Sequence, residues 1–397
     1  PAPPPTTSHT PPGVGGSNPR PHSISCGSDL IGYNDGKAVD DPAQTAGQLP
    51  GTHPYAKVND IEALAKEAKQ LLEEAGIGTK GDCNKNHYRL SPIGKLMPTW
   101  LTMDGLFTVD NAEELKSKKI CLANITGFLD FPVPYIANGL RELGAEVSLR
   151  TVTTPLLEHA RQSPSEMRAT NIANYLANDN NVKEVAEKLK AAVPAGTDLL
   201  LLPAVLGVAN DHAAKLLQDS LSVDTRFVAT MPPSVPGIRV QTLLRQCFQR
   251  LGGTLIPNNT VVKGELDGKR LKKVYTDKLC ETALEADNFV FAAGSFLGGG
   301  LTSNYEGVQE PILNLDVDAD ADRTKWTSHD LYDKQPYQSY GVKTVGLKAT
   351  KNGQTLDNVY AIGSILSGND PRMATSTGID LLTALAVAST LTSSDKR

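Results

Sequence analysis

Four consecutive leucines, Leu199 to Leu202, standing between Asp198 and Pro203, constrain the fold more than any other stretch of this chain. A strand that apolar on both faces is buried only within a sheet covered on both sides, which means a parallel sheet flanked by helices. The preceding segments supply one. Residues 120–125 form an apolar run, 133–143 have helical spacing ended by Gly144, and 145–152 form a second strand, the pattern of a β-α-β unit. Helices over 165–176 and 182–192 lead to the leucines, and a helix to Leu221 with a strand over 226–231 completes an α/β module.

Before this module, Ile61, Leu64, Ala65, Ala68, Leu71, Leu72 and Ala75 repeat at helical spacing, with Gly76 as the stop, so a helix is predicted over 60–75. After it, Pro232 and Pro233 precede a helix over 238–251 that Gly252-Gly253 terminates. Strands over 254–262 and 271–276, with a turn at Asp267-Gly268, make a short antiparallel meander. A strand over 287–294 ends in Ala292-Ala293-Gly294 and runs into Gly298-Gly299-Gly300. Another over 358–363 ends at Gly363 and opens into Ser364, Ser367, Gly368 and Asn369, before a last helix over 378–391. Both strands thus meet glycine loops at their carboxyl ends, where open α/β sheets bind ligands.

Composition removes several function classes. A net charge of -5, from 39 basic and 44 acidic residues without a long basic run, gives no footprint for a nucleic acid. Cys26, Cys83, Cys121, Cys247 and Cys280 show no C-x-x-C spacing; they indicate a reducing compartment and place any iron–sulfur cluster on a different polypeptide. The most apolar stretch, 199–209, contains Pro203 and is too short to cross a bilayer core of roughly 30 Å as a helix. Residues 1–24, rich in proline, carry no secretory pattern and read as disordered, with order starting near Ser25.

The chemistry concentrates on the glycine loops. Gly294, Ser295, Gly298, Gly299 and Gly300 let backbone approach a flat ring or a phosphate; a surface turn is the competing reading. Gly363, Ser364, Gly368 and Asp370 form the second half of the candidate site. A helix starting near Gly378 can aim its positive end at the electron-rich edge of a cofactor, worth up to about 2 kcal/mol, or can be plain packing. His87, within His87-Tyr88-Arg89, is a weak acid–base candidate, and Arg239 a weak candidate for an anion contact against surface exposure or a carboxylate partner. No metal site is expected: the run Asp316, Asp318, Asp320, Asp322 has Ala321 where a calcium loop turns on glycine and Thr327 where it needs glutamate. The early group Gly13-Val14-Gly15-Gly16 lies among prolines with no strand before it, so the strand, G-x-G-x-x-G, helix fingerprint of a dinucleotide fold is missing.

At Pro98 to Leu101 (PTWL), Lys118 to Cys121 (KKIC), Asp130-Phe131 and Leu140 to Gly144 (LRELG), the chain resembles the B-subunit family of anaerobic glycerol-3-phosphate dehydrogenases. The resemblance continues at Pro232 to Arg239 (PPSVPGIR), Gly294 to Leu301 (GSFLGGGL), Glu310 to Val317 (EPILNLDV) and Ala361 to Ser364 (AIGS), so it covers nearly everything from about Ser25 onward. More broadly, Ala292-Ala293-Gly294 and Gly363-Ser364 are similar to strand endings of glutathione-reductase-type flavoproteins, with Ser364 where an acid is common. The resemblance implies an α/β flavoprotein-type dinucleotide-binding fold, three-layered with a β-meander, plus a second α/β domain. The implied division is a proline-rich segment 1–24, the start of the flavin domain with a connecting helix over 25–118, an inserted α/β domain over 119–231 and the main flavin-binding domain over 232–397. It implies oxidation of glycerol 3-phosphate to dihydroxyacetone phosphate by a flavin-dependent, quinone-linked complex. Electrons would pass to iron–sulfur centres of a partner. A catalytic component and an iron–sulfur membrane anchor, the A and C subunits of such complexes, would hold the chain at the cytoplasmic face of the inner membrane. FMN is expected ahead of FAD, because no fingerprint seats the adenosine. The alternative is a non-catalytic scaffold of the same fold.

Overall fold

The structure, a computed structural model, describes residues 27–394 apart from Leu331. The proline-rich stretch, the glycine group at 13–16, the onset of order near Ser25, and Cys26 lie outside the described residues.

Short strands that the sequence did not announce build the amino-terminal part. They are β1 (Gly27–Ser28), β2 (Thr79–Lys80), β3 (His87–Leu90), β4 (Leu96–Thr99), β5 (Leu101–Met103) and β6 (Thr108–Val109). Two antiparallel sheets result, ordered β1-β5-β2 and β4-β3-β6. His87 and Arg89, two residues apart, share one face of β3. That face lies on glycines: a Cβ at Gly27 would come 2.8 Å from Arg89 Nε, and one at Gly81 3.0 Å from His87 Cε1. Helix α1 (Ile61–Glu74) forms as its spacing predicts, and Asp60 caps it by accepting from the Ala63 amide at 3.0 Å. Its buried stripe is Leu64, Ala65, Ala68 and Leu72.

The leucine run is the heart of a parallel sheet. Strands β7 (Lys119–Ile125), β8 (Glu146–Val152), β9 (Leu199–Pro203) and β10 (Asp224–Val228) lie in the order β8-β7-β9-β10, all parallel, with α2 (Val133–Glu142) and α3 (Asp179–Ala192) among the crossovers. Every residue of β9 is buried. β10 sits earlier than the expected 226–231, because the Met231 amide donates to Asp130 O at 2.8 Å and leaves the ladder. The helix expected over 165–176 is split into a 3-10 turn, Pro164–Glu166, and a helix, Ala169–Tyr175, with Glu166 taking the Tyr175 hydroxyl at 2.9 Å. At the outer edge the Phe107 amide donates to Phe227 O at 2.8 Å, which stitches the amino-terminal part to this sheet.

Helix α4 (Val235–Arg250) starts before the expected 238: Ser234 Oγ accepts from the Gly237 amide at 3.3 Å and Pro236 sits in the first turn, where its missing N–H costs nothing. The meander follows as β11 (Val261–Asp267), β12 (Arg270–Thr276) and β13 (Leu284–Glu285). The strand expected from 254 begins only at Val261, since Pro257 lacks an N–H and Asn258 takes φ 55°. Beside the meander lies a sheet ordered β14-β17-β16-β15, made of β14 (Phe289–Phe291), β15 (Thr344–Val345), β16 (Lys348–Lys351) and β17 (Gln354–Ala361), with β14 and β17 parallel. Among the described residues β14 pairs on one edge only. Buried Asn358 of β17 imitates a ladder rung: its Oδ1 takes the Leu271 amide at 2.9 Å and its Nδ2 donates to Leu271 O at 2.9 Å and Asp287 O at 2.8 Å. Glu310 opens the EPILNLDV stretch by accepting the Ile312 and Leu313 amides at 2.9 and 2.8 Å.

Two apolar cores result. One gathers residues from Leu30 to Cys247 together with Ile379 and Leu382; the other gathers Val261 to Leu366. The cores therefore do not divide at 231/232: α4 and the carboxyl-terminal helix α5 (Ser376–Ser394) belong to the first, α5 lying against α1. Among the described residues no helix is long and apolar enough to cross a membrane.

Candidate functional site

The two glycine loops predicted from the sequence are neighbours. The Ile362 amide donates to Phe291 O at 2.9 Å, so β14 and β17 end side by side, at Gly294 with φ 90° and Gly363 with φ 70°. Neither angle suits a side chain. The first loop closes on itself: the Gly298 amide reaches Ser295 Oγ at 3.2 Å and the Gly300 amide Ser295 O at 3.1 Å. A Cβ on Gly300 would come 2.0 Å from Gly294 O.

The second loop leans on α5. The Gly363 amide donates to Thr383 Oγ1 at 2.9 Å, and a Cβ on Gly363 would come 2.5 Å from Asp380 Oδ1. Asp380 also accepts the Ser364 amide, so an acid from α5 stands beside the late glycine, where the sequence shows Ser364. Protein surrounds Asp380 on most sides and pushes its carboxyl up to about 6, yet its surface stays open to solvent, so that desolvation is partial. Asp370 is engaged elsewhere: Arg372 grips both its oxygens at 3.2 and 3.0 Å, and Lys334 lies 3.8 Å away. Burial opposes its ionisation, but these cations hold its carboxyl below the usual range. Gly368 packs against the backbone of Thr52.

Gly378 is placed differently from the expectation. Its amide donates to Asp29 O at 3.0 Å, and a Cβ there would strike Tyr55 Oη at 2.2 Å. The leading end of α5 therefore abuts the segment 29–32. A cavity of about 430 Å³ opens on the unpaired edge of β14, lined by Val261, Val274, Phe289, Phe291, Gly299 and Gly300 among others. Gly363, Ser364 and Gly378 do not line it. Of the first loop only Gly299 and Gly300 line it, Gly294, Ser295 and Gly298 do not, nor do Gly368 and Asp370, and Gly363 of the second loop lies against α5.

The two weak candidates are both buried. His87 Nε2 meets Thr102 Oγ1 at 2.7 Å; burial, then the charge of Lys80, pushes its pKa down to about 4, so the ring is neutral. Arg239 Nη1 donates to Asn210 O at 3.1 Å between two small clefts that also hold Asp104 and Asp211, away from both glycine loops. Sequence reasoning passed over Asp29, His53 and Arg89, which stand around the start of α5. Burial pushes Asp29 up to about 6 against the pull of Arg89, and pushes His53 down to about 4. Their only sequence signal is polarity inside short strands and loops. Among the described residues no cluster of His, Cys, Asp or Glu could hold a metal ion. Asp316 instead accepts the Asn352 and Gly353 amides at 2.8 and 2.9 Å.

A family model described as an FAD binding domain matches residues 27–378. The B subunit of the anaerobic glycerol-3-phosphate dehydrogenase of Yersinia enterocolitica serotype O:8 / biotype 1B is 35% identical over 381 residues, covering 94% of this chain and 90% of that protein. The corresponding protein of Yersinia pseudotuberculosis serotype I is 33% identical over 376 residues, covering 92% and 88%, and that of Pectobacterium atrosepticum 32% over 375 residues, covering 92% and 89%. No solved structure matches. With a flavin-type domain over most of its length and this identity along nearly all of it, the chain belongs to the B-subunit family of anaerobic glycerol-3-phosphate dehydrogenases.

Proposed function

We propose that this chain carries a flavin in a complex that oxidises glycerol 3-phosphate to dihydroxyacetone phosphate and passes electrons through a partner's iron–sulfur centres to a quinone. The carrying observation is the pair of parallel strands β14 and β17, ending side by side in glycines of positive φ, with Gly299 and Gly300 of the loop after β14 lining a cavity of about 430 Å³. That volume lies in the range of small-molecule sites, and the wall formed by Gly299 and Gly300 is bare backbone. The residues present fit a flat ring system: Val261, Phe289 and Phe291 offer apolar surface, and the bend from Gly294 to Gly300 offers close backbone approach. A bound flavin supplies hydride acceptance. The chain's own part is to hold the ring dry on its apolar side and to fix the bend that borders it.

The FAD binding description supports FAD as the flavin, and the preference for FMN finds no support. The relatives are named as B subunits, which supports other subunits as partners; a catalytic component and an anchor at the cytoplasmic membrane face, the A and C subunits, complete the proposal. A scaffold that binds no flavin is the second reading, favoured by the covered leading end of α5. Purified protein separates the two. A visible flavin spectrum, with FAD identified after release and reduced by glycerol 3-phosphate once the partner subunits are added, is expected; a protein that stays colourless after incubation with FAD sinks the flavin reading.

A further inference from the structure

Arg89 is only 7% exposed, yet among the described residues no hydrogen bond or ion pair reaches its guanidinium, and its Nε is sealed from solvent without a partner. Buried charges in folded proteins are paired or ligand-bound, so this one is an open valence in the site. Gly27 packs closely against it: a Cβ there would come 2.8 Å from Nε, so only a residue without a side chain lets the guanidinium lie here. Its charge is felt by Asp29, which makes no ion pair with it and has its own Oδ1 buried without a partner. His87, on the same strand face, is neutral and bonded to Thr102, so it neither repels nor neutralises the guanidinium. Asp29 also links the place to α5, because its carbonyl takes the Gly378 amide. An unpaired guanidinium and an unpaired carboxyl oxygen therefore meet at one segment, 27–29, whose backbone covers the first turn of α5.

We propose that Arg89 binds the phosphoryl group of a ligand, with its planar fork on the phosphoryl oxygens. This deepens the flavin reading above, in which both a flavin nucleotide and glycerol 3-phosphate carry that group. Arginine suits it because its donors lie in a fixed plane that matches two oxygens at once. Asp29 stands beside it with its carboxyl pushed up to about 6 by burial, so only below that pH is it protonated and able to give its hydrogen to an anion that the ionised form repels. Facing Asp29 are Arg89 and Thr99, together with Tyr33 and Tyr55, whose hydroxyls its charge reaches.

Inorganic phosphate is the first probe, because it needs no flavin. Thermal unfolding of the full chain in phosphate, against chloride at equal ionic strength, is expected to shift upward for wild type and not for Arg89→Gln. Should Arg89→Gln fail to fold, Arg89→Lys carries the test, with a smaller shift than wild type expected. Two further arms identify the source. If the cofactor supplies the phosphate, Arg89→Gln weakens FAD by about tenfold or more and leaves riboflavin, which has none, unchanged. If the substrate supplies it, the KM for glycerol 3-phosphate in the reconstituted complex rises by about tenfold or more while kcat and flavin content stay near wild type. No phosphate shift in wild type, or an equal shift in the variant, overturns the proposal. A colourless wild type that still binds phosphate through Arg89 overturns the flavin reading and leaves this one standing.

Discussion

Gly300 is where one hydrogen atom in place of a methyl group decides the shape of the cavity wall. A Cβ would have to displace the carbonyl of Gly294, which is backbone and cannot swing aside as a side chain could. Gly300→Ala is therefore expected to open the bend and lower flavin content while the complex still assembles; full flavin content in the variant, measured by absorbance per chain, contradicts the assignment. His87 gives a prediction in pH. Folded, its ring stays neutral down to about 4, while in the unfolded chain it takes up a proton near 6.5. Its contribution is whole above 6.5 and is lost as the pH falls through that window, by about 2 kcal/mol between pH 7 and pH 5. His87→Gln removes this sensitivity, so the wild type's advantage in urea midpoint is expected to shrink between pH 7 and pH 5, and an advantage equal at both contradicts it. The glycines were legible because bare backbone at the end of an apolar strand is a local signal. Asp380 and Arg89 were not, since each acquires meaning from a neighbour far away in sequence: Gly363 for one, Gly27 for the other. A further mark was there to read, for Asp380 is the sole charged residue of α5.

β14 is the weak element. It is short, pairs on one edge and leaves Val290 37% exposed, which offers unmatched backbone groups to any passing strand. The isolated chain is expected to self-associate through this edge. Val290→Lys should lower light scattering at equal concentration without lowering the thermal midpoint, and unchanged scattering would place the association elsewhere. The elements that sequence reasoning located well are those whose periodicity is long. α1, α2 and the strands β7 and β9 sit within a few residues of expectation, because burial on one stripe over 10 to 14 residues, or on both faces over 5 to 7, writes itself into the sequence. Strands β1 to β6 have two to four residues each, too few for any period, and their partners are set by tertiary contacts.

The whole molecule is two apolar bodies in contact, and Leu347 is a side chain that packs against both. Each core has its own sheet, so each can lose its packing without the other, and unfolding is not expected to be two-state. Calorimetry should resolve two transitions, with added FAD raising the one that belongs to the second core; a single transition whose calorimetric and van't Hoff enthalpies agree would contradict this. At this scale the sequence conveyed the parallel sheet, the meander and the strands β14 and β17, but neither β15 and β16 nor how the cores divide. α4 and α5 follow one another around the second core in sequence and return to the first in space, an arrangement that no composition shift marks.

That return of α5 sets an order on biosynthesis. Chains emerge from the ribosome amino end first, at about 5–20 residues per second. Ile379 and Leu382 fill the interior built by residues from Leu30 to Cys247, so that interior stays unfinished until α5 has been made. A stop codon shortly before Ser376 would spare every strand named above and still leave a hole beneath α1, so such a product is destined for chaperones and proteases rather than for partial service.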